Sequence, residues 1–181
     1  MAGLLSITGK VLLIHVVCLI QSLTAEELIC DPTKIVFKGF NVDQYLGVWH
    51  EIYHYPPKHQ ERYLCFIDDY KKSPSGDINI TSTVYDKTEK KRVTLTGTVH
   101  VSLNILELIF DNHREWSTQY FLLGTDYTGY SIIAGCPDIE SKKPNAYVLF
   151  RSQNPSESVK KAADETLKTY NLSLNDFHKE C

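Results

Sequence analysis

The sequence predicts an all-β protein: an eight-stranded antiparallel up-and-down barrel with one C-terminal α-helix packed outside it. Three observations carry the prediction. Eight short runs rich in β-branched and aromatic residues recur between positions 48 and 151, separated by turn residues. No helical pattern falls between them, which argues against βαβ crossovers and a parallel sheet. A single one-sided apolar stripe at helical spacing follows the last run. Eight antiparallel strands close naturally into a barrel whose interior holds one small ligand.

Taken in order, the chain opens with Lys10 and the apolar run 11–20, too short for a lone membrane span. Small residues and the acidic pair Glu26-Glu27 follow. This reads as a secretory signal peptide, residues 1–25, cut after Ala25, leaving residues 26–181 as one domain. Strands are expected at 48–55, 63–70, 78–84, 92–101, 105–110, 119–124, 131–136 and 146–151. The breaks between them are Pro56-Pro57, 73–77, 86–90, 112–115, 126–129 and 137–145. For the helix, Asn154 supplies a cap, Pro155 suits the first position and Glu157 completes a capping-box spacing. Val159, Ala162, Ala163, Thr166, Leu167 and Tyr170 then form the stripe that faces the barrel. The tail 171–181 reads as polar and in need of a tether.

The formal net charge is −3, and cleavage at Ala25 would remove one more Lys and no acid. With no basic cluster beyond 87–92, a nucleic-acid partner is disfavoured. Of five cysteines, Cys18 leaves with the signal. Cys30, Cys65, Cys136 and Cys181 remain, an even count that suggests two disulfides with three possible pairings. Two sequons, at Asn79 and Asn171, are candidate glycosylation sites.

Three separated motifs identify a family. The segment Asn41-Val42-Asp43-Gln44-Tyr45-Leu46-Gly47-Val48-Trp49 resembles the Gly-x-Trp signature that opens the first strand of lipocalins. Thr125-Asp126-Tyr127-Thr128-Gly129-Tyr130 resembles their Thr-Asp-Tyr turn before the seventh strand, and Arg151 ends the eighth. All three in order, around eight strands and one helix, are specific, and within lipocalins the resemblance is nearest the apolipoprotein D and insect bilin-binding protein group. It implies that Gly47, Trp49, Thr125, Asp126, Tyr127 and Arg151 meet as a structural base, with Arg151 stacked across Trp49. It also implies the disulfides Cys30–Cys136 and Cys65–Cys181.

Side chains alternate in and out along a strand, so one fixed residue sets a strand's phase. Trp49 inward turns Glu51, Tyr53 and Tyr55 inward, with Tyr55 about 20 Å above the base. Outward Cys65 and Asn79 turn Phe66, Asp68 and Tyr70, then Ile80, Ser82 and Val84, inward. Ile133 on strand seven and Tyr147 and Leu149 on strand eight follow likewise, and Phe121 is chosen over Tyr120 on strand six. The ligand-binding set is thus Tyr53, Tyr55, Phe66, Tyr70, Ile80, Val84, Phe121, Ile133, Tyr147 and Leu149. It is apolar and aromatic with several hydroxyls, which suits a planar hydrophobic guest. Inward Glu51 and Asp68 read as hydrogen-bonded structural carboxylates.

Chemistry beyond binding finds little support. His50 and His54 lie about 13 Å apart along one outward face, too far for a shared zinc. His100 as an axial haem ligand has no motif behind it. No Gly-x-Ser-x-Gly elbow occurs, and disulfides claim every mature cysteine, so no enzyme, metal or cofactor is expected beyond a bound pigment or lipid. The expected function is secreted transport or sequestration of a small hydrophobic ligand, pigment, lipid or sterol-like, and a homodimer is compatible with it. The alternative is a salivary-type or regulatory lipocalin acting on another protein through its open-end loops. Entry is expected opposite Trp49, past the loops 56–63, 86–91, 111–117 and 136–145, with Trp116 a candidate cap.

Overall fold

The computed structural model describes residues 24–55, 62–136 and 145–181. The expected signal segment lies outside these apart from Thr24 and Ala25, as do residues 56–61 and 137–144 of two expected mouth loops. Eight strands form a closed antiparallel sheet: β1 (Gly47–Tyr55), β2 (Tyr63–Lys72), β3 (Ile78–Asp86), β4 (Lys91–Ser102), β5 (Ile105–Phe110), β6 (Thr118–Thr125), β7 (Tyr130–Gly135) and β8 (Asn145–Phe150). Each pairs with its sequence neighbour, and β1 closes the barrel by pairing with both β2 and β8.

The β1–β2 ladder spans only Gly47 to His50. Further up, β1 is joined by a short ninth strand, β9 (His178–Lys179), through Tyr53↔Lys179 and His54↔His178. The tail is therefore less polar in its role than its composition suggests, because Leu172 and Phe177 are buried against the barrel. Two short helices, α1 (Ala25–Ile29) and α2 (Val42–Tyr45), precede the barrel where the sequence reading placed no element. They carry Ile29 into the outer core and Tyr45 under the barrel's base.

The long helix, α3 (Glu157–Lys168), starts after Ser156 rather than Asn154. Both are capping residues. Ser156 holds the position because its hydroxyl accepts from the Val159 N–H, which keeps Glu157 in the first turn at the positive end of the helix. The stripe docks as expected: Ala163, Leu167 and Tyr170 are buried, with Val159 and Ala162 packed beside them. The helix ends in a Schellman arrangement. Asn171 adopts φ +56°, its N–H bonds Lys168 O, and Leu172 N–H bonds Leu167 O, each at 3.2 Å. The sequon asparagine thus also terminates the helix.

Two apolar clusters result. The outer one lies between α3 and β6–β8 and includes Ile52, Leu123, Ile132, Val148 and Phe150. The inner one fills the barrel's interior and includes Trp49, Tyr70, Ile80, Val84, Leu95, Leu106 and Leu122. Strands under α3 are therefore apolar on both faces, and every residue of β7 is buried.

Candidate functional site

The base is built first, from the N-terminal turn. Gly47 sits at φ +96°, a conformation that favours glycine, and a Cβ there would stand 3.4 Å from the Arg151 guanidinium. Trp49 is fully buried and donates its indole N–H to Tyr45 O at 2.9 Å. The Arg151 guanidinium carbon lies 3.7 Å over the Trp49 ring. Its nitrogens donate to the carbonyls of Tyr127, Val48, Gln44 and Tyr45 at 3.0–3.2 Å. The cation thus ties three segments together through backbone oxygens. The Thr125–Tyr130 turn is locked from within. Thr125 Oγ1 donates to Tyr130 O, and Asp126 Oδ1 accepts from the N–H groups of Thr128, Gly129 and Tyr130. Tyr127, at φ +65°, accepts from Asn41 N–H on its hydroxyl.

Above this floor is a cavity of about 480 Å³. Phe66, Leu108, Phe110, Trp116, Tyr120, Ile133, Tyr147 and Leu149 line it, with Tyr63 and Arg62 towards the mouth. Polar groups enter at Glu51, Asp68 and Ser82. Trp116, in a 3₁₀ turn between β5 and β6, packs edge-on against Tyr63 with ring centroids 4.4 Å apart. Arg62 is committed to its neighbours, giving two hydrogen bonds to Asp86 Oδ2 at 2.9 and 2.7 Å. Together with the Thr88 and Glu89 N–H groups, it holds Asp86 down at about 2.

Of the expected ligand set, Phe66, Ile133, Tyr147 and Leu149 line the cavity. Tyr70, Ile80 and Val84 face the interior but pack in the inner cluster rather than on the cavity lining, Tyr70 and Ile80 towards the base and Val84 above Ser82 towards the mouth. Tyr53, Tyr55 and Phe121 are corrected: all three pack in the outer cluster. For Tyr53 and Tyr55 the reason is a β-bulge in β1. Glu51 pairs with Leu149 and Tyr53 with Val148, so Ile52 is an extra residue and the phase above it inverts. His54, expected outward, shares the face of its partner Tyr147 instead. It is buried, with Nδ1 2.9 Å from a Glu180 carboxylate oxygen. On β6 the helix covers the outer face, so Phe121 finds an apolar environment there while Tyr120 turns to the cavity. His100 is exposed and out of phase with the inward Leu95 and Val99, which removes it as an interior haem ligand.

The disulfides join Cys30 to Cys136 and Cys65 to Cys181. The second enters β2 at a bulge, where Cys65 takes φ +59°.

Asp68 is the electrostatic anomaly of the interior. It is buried, and Ser82 Oγ donates to its Oδ1 at 2.5 Å. Burial nevertheless pushes its carboxyl up from 3.8 to about 6, against the Ser82 hydrogen bond that lowers it. A carboxyl that binds its proton more tightly when folded stabilises the fold at low pH. That advantage is lost as pH rises from 4 through 6, and the penalty at neutral pH is about 3 kcal/mol. Asp68→Asn keeps the shape and an acceptor for Ser82. It is expected to raise stability by about 1–3 kcal/mol at pH 7.5 and by nothing at pH 3.5. Urea unfolding of both proteins at the two pH values checks this; an equal effect at both would refute the role of charge.

A closed barrel, plugged at one end and holding an aromatic cavity above the plug, defines a protein that binds a small molecule. A family model described as a lipocalin-like domain matches residues 40–178, and the chain belongs to the lipocalin family, in the group of the insect bilin-binding proteins. Members of this family are binding and transport proteins rather than enzymes. The chain is 28% identical over 186 residues to the Lazarillo protein of Schistocerca americana, covering 98% of this chain and 84% of that one. The cockroach major allergen Per a 4 superimposes with a TM-score of 0.69 at 30% identity, over 80% of this chain and 89% of the allergen. The amine-binding protein of Rhodnius prolixus, solved as its tryptamine complex, gives a TM-score of 0.65 at 20% identity, over 79% and 82% of the two chains. Among the described residues, no helix is long and apolar enough to cross a membrane.

Proposed function

We propose that this protein is a secreted carrier that takes a small hydrophobic molecule, aromatic in at least one part, into the cavity above Trp49. The observation that carries the reading is the cavity itself: about 480 Å³, walled by Phe66, Phe110, Trp116, Tyr120 and Tyr147. That volume and lining suit a compact planar guest, with burial of its apolar surface supplying on the order of 25 cal/mol per Å². The tryptamine complex of the Rhodnius protein supports an aromatic guest in this fold. Two disulfides and the apolar segment at 11–20 support export, with residues 1–25 as the signal.

Titration with the neutral fluorescent probe N-phenyl-1-naphthylamine tests the site. Wild type is expected to bind it, Tyr147→Ala to weaken binding at least fivefold, and outward-facing Tyr55→Ala to stay within twofold of wild type. Absence of probe binding in wild type, or a larger loss in Tyr55→Ala than in Tyr147→Ala, would overturn the assignment.

A further inference from the structure

The cavity is aromatic on its walls but acidic at its floor. Asp68 lies two residues up β2 from Tyr70 and opposite Trp49 on β1, at the junction between cavity and packed base. One of its oxygens takes the Ser82 hydroxyl; among the described residues no lysine, arginine or histidine pairs with it. Arg62, a cation that lines the cavity, is held by Asp86 and Glu89. An ionised carboxylate buried without a cation is costly, and proteins rarely leave one so unless something else supplies the charge. Just below, the Tyr70 hydroxyl is buried and, among the described residues, has no hydrogen-bond partner, and it feels the Asp68 charge. Glu51, a second carboxylate, also lines the cavity.

We propose, resting on the carrier reading above, that the preferred guest is an aromatic amine in its protonated form, its ammonium at Asp68 and its ring against Tyr120, Tyr147 and Trp116. The chemistry is matched at each point. An ammonium brings three donors and no acceptor, and it meets the second oxygen of Asp68 and an acidic surround. The π faces above the floor attract the same charge and bury the same ring. A carboxylate guest would meet the like charge of Asp68, and a neutral guest would leave Asp68 as it is. At neutral pH, Asp68 is mainly ionised, since burial raises it only to about 6.

Three near-isosteric compounds separate the possibilities: 2-phenylethylamine, 2-phenylethanol and phenylacetate, each used to displace N-phenyl-1-naphthylamine at pH 7.5. The amine is expected to displace the probe at a concentration at least tenfold lower than the alcohol, with phenylacetate the weakest. In Asp68→Asn, the amine-to-alcohol ratio is expected to fall to within twofold of one; in Glu51→Gln, it falls only a few-fold. The ratio is taken within each variant, so a general change in affinity cancels. Probe binding with no amine preference in wild type overturns the amine assignment and leaves the carrier reading standing. Retention of the preference in Asp68→Asn overturns the role of Asp68. Failure of the probe to bind wild type overturns the carrier reading and this proposal with it.

Discussion

Replacing Trp49 with alanine is expected to destabilise the protein by about 3–5 kcal/mol, the cost of emptying a buried aromatic site in a core that cannot collapse around it. Trp49 touches nearly everything that closes the barrel's lower end. Its ring carries the Arg151 guanidinium at 3.7 Å, packs beside Tyr45 at 5.0 Å between centroids, and its N–H satisfies a buried carbonyl. Removing it leaves Arg151 without its stacking partner while the guanidinium still bonds four carbonyls. The N-terminal turn is therefore expected to loosen before the strands do. Urea unfolding gives the magnitude, and an unchanged midpoint would refute the plug. Trp49 lies beneath the cavity rather than on its lining, so the amine-to-alcohol ratio in the surviving folded fraction is expected to match wild type.

Loss of the Cys65–Cys181 disulfide is expected to cost about 2–5 kcal/mol. The bond closes a loop of 116 residues, so its removal frees the unfolded chain considerably. In the native state, it also pins β9 to the edge of β1, where the His54–Glu180 pair is buried. In a Cys65→Ser/Cys181→Ser protein, the tail is expected to detach first, and the amides of Ile52–Tyr55 to lose hydrogen-exchange protection ahead of β3–β5. Uniform loss of protection across the barrel would show that the bridge acts only on the unfolded chain. The Cys30–Cys136 bridge, with a separation of 106, is expected to matter comparably in magnitude but to loosen α1 instead.

Much of this was legible because alternation survives wherever one sheet face meets a packed interior and the other meets water. On β3 the burial pattern alternates without a break, and Ile78, Ile80, Ser82 and Val84 turn inward as the sequence suggests. Asp68 and Glu51 were likewise visible as inward carboxylates. What composition concealed was the lack, among the described residues, of any cation beside Asp68, a fact about neighbours on other strands. On β6 the signal failed because α3 covers the outer face: Phe121 and Leu122 are equally apolar, and nothing local says which one meets the helix.

The sequence by itself determined the strand number, the closing base motifs and the class of protein. These depend on local turn chemistry and on residues whose partners repeat in a fixed order along the chain. Tertiary structure alone decided which residues of β1 and β6 face the cavity. The bulge at Glu51–Tyr53 inserts one residue into β1 and reverses every side chain above it, sending Tyr53 and Tyr55 out and His54 in. A bulge arises from how two strands and a tethered tail fit together, and a period of two cannot record where it slips.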